Sequence, residues 1–164
     1  MMALIVMGVS GCGKSSAAAG VAARLGLPLI EGDDYHPAAN VQKMRSGNAL
    51  NDDDRAGWLA KLGSLLSQNP GGLVMTCSAL KRRYRDQLRQ SARGVGFVFL
   101  ELTPEQAKQR VSERGAAHFM PTSLVDSQFA DLESPMGEYK VLCVDATLGT
   151  QEIVQAVVRW AEPQ

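Results

Sequence analysis

The chain has 164 residues, 45% of them hydrophobic and 21% charged, which suits one globular domain over 1–164 and excludes a disordered or fibrous polymer. With 17 Lys plus Arg against 17 Asp plus Glu, the formal net charge is zero, so a broad nucleic-acid grip built on basic charge is not expected. No apolar run approaches the roughly 20 residues of a bilayer span. Three cysteines, Cys12, Cys77 and Cys143, form no CxxC pair. That speaks against a disulfide scaffold or a zinc site and for a reducing, cytoplasmic setting.

In chain order, short apolar runs alternate with helix-like stretches. Ala3–Met7 reads as a strand and not as a signal peptide, because no basic segment precedes it and no small-residue cleavage site follows. Lys14–Leu25 is Ala-rich and reads as a helix after a glycine loop; Leu27–Ile30 reads as a second strand. Arg55–Leu66 places Trp58, Leu59, Leu62, Leu65 and Leu66 on one helical face. Leu73–Cys77 is a strand, Lys81–Gln90 a charged helix and Phe97–Leu100 a strand. Thr103-Pro104-Glu105-Gln106 carries a helix start, with Thr at the N-cap, Pro at the first helical position and Gln closing a capping box. Val141–Val144 is a last strand and Ile153–Trp160 an amphipathic closing helix. Strands apolar on both faces, alternating with helices, predict an α/β layer fold around a parallel sheet. Two stretches break the alternation. Asp33–Asn51 is expected to open a substrate-binding insert of about residues 33–60, and Arg114–Pro135 to form a mobile lid, about 114–135.

The strongest local signal is Gly8-Val9-Ser10-Gly11-Cys12-Gly13-Lys14-Ser15, which fits GxxxxGK[ST] between a strand and a helix. Glycines let the backbone wrap phosphate oxygens and aim N–H groups at them, and the helix N-terminus adds its dipole. Gly8, Ser10, Gly11, Cys12, Gly13, Lys14, Ser15 and Ser16 are therefore the expected nucleotide-binding residues, with Lys14 on the β- and γ-phosphates of ATP and the Ser15 hydroxyl on Mg²⁺. A small residue suffices at Cys12. Asp54-Arg55-Ala56-Gly57 matches the DxxG of switch GTPases, but no apolar strand leads into it and no NKxD occurs. The chain is short for a motor ATPase, and no strand ends in a paired acidic motif; small-molecule kinases remain.

The second strand runs into Glu31-Gly32-Asp33-Asp34-Tyr35-His36-Pro37. Ligands bind beyond the carboxyl ends of parallel strands, where the first strand already delivers the phosphate loop. Asp33 is therefore the candidate to orient or deprotonate an acceptor hydroxyl. Asp34 reads as an ordinary turn residue, and Glu31 as a candidate holder of a Mg²⁺-bound water.

This segment, with Asn40, Lys43-Met44, Gly47, Leu50-Asn51-Asp52-Asp53-Asp54-Arg55 and Trp58-Leu59, resembles bacterial gluconokinases. So do Cys77-Ser78-Ala79-Leu80-Lys81 with Tyr84-Arg85-Asp86, His118-Phe119, Ser127-Gln128-Phe129 and Leu132-Glu133. The resemblance runs from Val6 to about Val144, with Glu31 where Asp is usual and Gly57 where Pro is common. It implies the three-layer P-loop kinase fold of shikimate and nucleoside-monophosphate kinases: a five-stranded parallel sheet, order 2-3-1-4-5, with a lid. It also implies phosphorylation of D-gluconate at the 6-hydroxyl with ATP and Mg²⁺, and a homodimer by analogy. The same fold serves shikimate, other sugar acids and nucleoside monophosphates, and a non-catalytic ATP-binding module is a further alternative.

A small polyhydroxy anion needs cations and polar donors. Lys43, Arg55 and Arg85 can supply charge, Asp33 and His36 can bond hydroxyls, and the carboxylate falls to Arg55 or Arg85. Lys81 and Arg85 match the family pattern within Lys81-Arg82-Arg83-Tyr84-Arg85, a cluster otherwise read as a solvated helix face. Arg110 and Arg114 lie four apart on one helix and are the expected lid arginines for the transferring phosphate. Gln128 is carried over as a substrate or lid contact, and the turn Asp145-Ala146-Thr147 as a backbone cradle for adenine.

Overall fold

The computed structural model describes residues 2–114, with the backbone alone at Arg114, and 124–162. Five parallel strands form one sheet: β1 (Leu4–Met7), β2 (Leu29–Glu31), β3 (Val74–Thr76), β4 (Gly96–Glu101) and β5 (Val141–Asp145). Their order is β2-β3-β1-β4-β5, the order implied by the resemblance. Seven helices accompany them among the described residues: α1 (Lys14–Leu25), α2 (Ala38–Arg45), α3 (Asp52–Ser67), α4 (Arg82–Ser91), α5 (Pro104–Arg114), α6 (Val125–Asp131) and α7 (Thr150–Ala161). No helix among them is long and apolar enough to cross a membrane.

Alternation along the central strands divides the core. Ile5, Met7, Met75, Phe97 and Phe99 face α3 and α4, packing on Trp58, Leu59, Leu62 and Leu88. Leu4, Val6, Val74, Val98 and Leu100 face α1 and α7, packing on Ala17, Ala18, Val21, Ile153 and Val157. Both faces are covered, which is why the central strands read as continuous apolar runs.

Several boundaries differ from those expected. β2 begins after Pro28, whose carbonyl accepts from Val74 N–H at 2.9 Å but which has no N–H of its own to give. α3 starts three residues early, because Asn51 and Asp54 make a reciprocal capping box and Asp52, Asp53 and Asp54 sit in its positive first turn. The box expected at Thr103 and Gln106 is present, with bonds of 2.9 and 3.2 Å. The stretch Asp33–Asn51 is not irregular throughout: a 3₁₀ turn (Gly32–Tyr35) and α2 lie within it. Of the expected lid, residues 115–123, His118 among them, lie outside the described residues; α6 follows.

Candidate active site

The carboxyl ends of β1, β2 and β3 converge. Register pairs both Glu31 of β2 and Val6 of β1 with Thr76 of β3, so the segments that leave these strands emerge side by side. Gly32 is demanded here: a Cβ on it would stand 2.1 Å from the Thr76 carbonyl oxygen, and that oxygen belongs to the sheet backbone. In the phosphate loop, Gly11 and Gly13 have φ of +87° and +91°, a region that disfavours side chains, and Gly13 caps α1.

Lys14 lies across the loop, its Nζ donating to the carbonyls of Gly8 at 3.0 Å and Val9 at 3.1 Å. Its ammonium thus already sits within the loop. Cys12 is buried and packs in the core between the sheet and α1, while Ser15 and Ser16 are exposed on the first turn of α1. The Ser15 hydroxyl donates to Glu31 Oε2 at 3.0 Å, and Thr76 Oγ1 donates to the same oxygen at 2.7 Å while accepting from Gly32 N–H at 3.1 Å. Hydroxyl and carboxylate oxygens beside a phosphate loop are the hard donors that Mg²⁺ takes, together with phosphate and water oxygens. Among the described residues no cluster of three or more His, Cys, Asp or Glu gathers. A cation shared with phosphates needs none.

An open cleft joins the loop to the segment that follows β2 and to the start of α3. Ser10, Gly13, Lys14 and Ser15 form one end, Asp33, His36 and Arg55 the other, and Met44, Leu50, Trp58 and Leu124 an apolar wall. Gln128 on α6 also lines it and accepts from the Ser10 N–H through Oε1 at 2.6 Å, tying α6 to the phosphate loop. Seven of the expected site side chains therefore meet in one place: Ser10, Lys14, Ser15, Asp33, His36, Arg55 and Gln128.

Arg55 is 7% exposed. Its Nη1 donates to Tyr84 Oη at 3.0 Å and to Asp131 Oδ2 at 3.1 Å, which pins the guanidinium at the cleft. Asp131 and Tyr84 were invisible as site residues in the sequence; only the fold places α6 and α4 against α3.

Arg85 requires a correction. It is fully buried, and every donor it uses is satisfied within the protein. Nη1 donates to the carbonyls of Ala79 and Leu80, Nη2 to that of Glu133, and Nε and Nη2 grip the Glu138 carboxylate at 2.9 and 2.7 Å. The bonds hold Glu138 below the usual carboxylate range. Arg85 fastens the segment after α6 to α4 and does not line the cleft. Lys43 and Lys81 also stand outside the cleft lining, because acids of α3 claim them: Lys43 pairs with Asp54 at 2.6 Å and Lys81 with Asp52 at 3.0 Å. The Tyr84 hydroxyl and Lys81 together hold Asp52 down to about 2.

Truncating Arg85 to Met is expected to cost about 3–5 kcal/mol, the order found when one partner of a buried ion pair is removed. Arg55→Lys is expected to raise the KM for the anionic acceptor about tenfold or more, through loss of the two-pronged fork. Urea denaturation and steady-state kinetics on both variants check the division of labour. An acceptor KM raised in Arg85→Met and unchanged in Arg55→Lys would reverse it.

Arg110 stands behind the loop. Its Nη1 donates to the Gly11 carbonyl at 3.3 Å and its Nη2 to that of Ala146 at 2.9 Å, bridging the phosphate loop to the turn after β5. Thr147 closes that turn, donating through N–H and Oγ1 to Asp145 Oδ1 at 2.8 and 2.6 Å. The Arg114 side chain lies outside the described residues.

Comparison with known proteins agrees with this geometry. A family model described as an AAA domain matches residues 4–138. A gluconokinase of Gluconobacter oxydans is 43% identical over 95% of this chain and 89% of its own. A gluconokinase structure from Sinorhizobium meliloti superposes with a TM-score of 0.88 at 45% identity, covering 96% of this chain and 90% of that one. A sugar kinase from a Janibacter species gives 0.92 at 37% identity, over 98% and 94%. A phosphate loop at the head of a 2-3-1-4-5 sheet, a cleft that joins it to Asp33, His36 and Arg55, and this degree of identity lead to one conclusion: the chain is a kinase and belongs to the gluconokinase family of P-loop kinases.

Proposed function

We propose that this kinase transfers the γ-phosphoryl group of ATP to the 6-hydroxyl of D-gluconate, giving 6-phospho-D-gluconate and ADP. The observation that carries the reading is the single cleft in which Lys14 and Ser15 face Asp33 and Arg55. The relatives' names support the acceptor.

In this reading the backbone of residues 8–16 binds the phosphates and Lys14 balances charge on the transferring group. Ser15, with Glu31 beside it, would hold Mg²⁺, which when bound neutralises phosphate charge. Arg55 receives the gluconate carboxylate. Asp33 orients the acceptor hydroxyl and takes its proton as the new P–O bond forms and the bond to ADP breaks. Arg110, with Arg114 on the next turn, adds positive charge from behind the loop. Trp58, Met44 and Leu50 give the sugar carbons an apolar wall.

The direct test is ADP release with ATP and Mg²⁺ in separate wells of gluconate, shikimate, AMP and CMP. Turnover confined to gluconate is expected, with the product's phosphate assigned to C6 by ³¹P–¹H correlation. Activity on another acceptor would discard the acceptor assignment and keep the kinase. Nucleotide binding without turnover in every well would leave a binding module.

A further inference from the structure

We infer that His36 is a positioning residue for Asp33, locked by Asn40 as the neutral Nε2–H tautomer. The inference rests on the function proposed above only for what Asp33 does; the tautomer stands on geometry alone.

The chain of bonds starts at a group of fixed chemistry. Asn40 is 5% exposed, and its side-chain nitrogen is 2.8 Å from the backbone carbonyl of Asp54. A carbonyl only accepts, so the atom facing it is the amide nitrogen and not the amide oxygen. The same nitrogen lies 3.3 Å from His36 Nδ1. One of its two hydrogens serves Asp54 and the other points at the ring. A ring nitrogen that accepts carries no proton, so the proton of neutral His36 sits on Nε2. That nitrogen faces Asp33 Oδ1 at 3.7 Å.

The ring is held in this pose. His36 stacks on Trp58, ring centres 4.0 Å apart and planes 18° from parallel. Trp58 is itself fastened, its indole N–H donating to the Gly32 carbonyl at 2.8 Å. The His36 side chain is 5% exposed and that of Asp33 52%. The imidazole is therefore the fixed partner and the carboxylate the one free to turn. At 3.7 Å the pair is just beyond hydrogen-bond length. A small rotation of Asp33 brings Oδ1 onto the N–H and leaves Oδ2 for the acceptor hydroxyl. The charged groups facing the ring are Asp33, from the 3₁₀ turn, and Arg55, from α3. Burial, helped by Arg55 and opposed by Asp33, keeps the imidazole below its ordinary titration range. Protonation would also set an Nδ1–H against the Asn40 N–H, donor against donor.

Two measurements test this. The chain has two histidines, His36 and His118, so long-range ¹H–¹⁵N correlation on ¹⁵N-histidine protein, assigned with His118→Gln, reads His36 directly. An Nε2–H signature at pH 7 without substrate is expected. An Nδ1–H or imidazolium signature overturns the proposal. Kinetics give the second arm. Glutamine can place an amide N–H where Nε2 stands, whereas asparagine reaches only as far as Nδ1. His36→Asn is expected to lower kcat about tenfold or more, with KM for ATP unchanged, and His36→Gln to recover most of that loss. Equal losses in both variants overturn the positioning role. If Asp33→Asn leaves turnover intact, the fault lies in the function proposed for Asp33, since the spectrum reads the tautomer without turnover.

Discussion

Lys14→Ala is expected to lower kcat about 10²–10³-fold or more, the range seen when a preorganised charge-stabilising donor is removed from an active site. Its ammonium is the cationic group that lies across the phosphate loop, bonded to the Gly8 and Val9 carbonyls. When phosphates enter, those two carbonyls exchange for anionic oxygens, so the ammonium gains most when negative charge builds on the transferring group. The loop itself should survive. Gly11 and Gly13 take their left-handed backbone without help from Lys14, and β1 and α1 anchor the loop through a core in which Leu4, Val6, Ala18 and Val21 are fully buried. The lost bonds amount to about 1 kcal/mol each. Circular dichroism melts with steady-state and single-turnover kinetics separate the two effects. Near-normal turnover by a well-folded variant would sink the reading of residues 8–16 as the phosphate site.

Asp33→Asn is expected to lower kcat about 10²–10⁴-fold, the usual contribution of a positioned general base, with KM for ATP nearly unchanged. Asp33 emerges from the end of β2 onto the cleft, on the acceptor side of the loop and beside Arg55. The amide keeps the shape and one acceptor oxygen but gives up the ability to take a proton. A fall confined to kcat would mark a group that acts in the transition state; a rise in gluconate KM alone would reduce Asp33 to a ground-state contact. Because the side chain is half-exposed, stability should hardly move. A large drop in denaturation midpoint would mean that the substitution had disturbed the 3₁₀ turn, and the kinetic result would then say nothing of the proton.

The two substitutions address opposite ends of one cleft, and their relation matters. Gln128 touches the phosphate loop at Ser10, while Asp131, three residues on, holds Arg55. Helix α6 therefore contacts both the donor end and the acceptor end. The intervening bonds are short and the helix has seven residues.

Much of this molecule was legible from residue order. The phosphate loop needs glycine at particular steps because only glycine takes the backbone there, so its spacing is written into the chain. The central strands announced themselves because a parallel sheet covered on both faces favours apolar residues on both sides of each strand. The place of Asp33 on the cleft followed from the rule that parallel strands deliver ligand groups at their carboxyl ends. The Thr103–Gln106 box followed from its own local chemistry. The helix start at Asp52 was local too: Asn51 and Asp54 form a box as good as the other, three residues before the expected start at Arg55.

What residue order left undecided was which cation faces the cleft. Arg55 and Arg85 were equal candidates, each an arginine on a helix and within a segment that matches the same family pattern. Their fates diverge because α4 turns Arg85 inward under Glu138, 53 residues further along the chain, while α3 turns Arg55 to the cleft edge against Asp131. Lys43 and Lys81 were drawn off by Asp54 and Asp52 in the same way. Long-range pairing of this kind depends on which helix faces pack together, and periodicity carries no record of it. The tautomer of His36 is the finest case. His36 and Asn40 stand four residues apart in the chain, but the atom that orients Asn40 is a carbonyl on α3, brought there only when Trp58 packs against the end of β2.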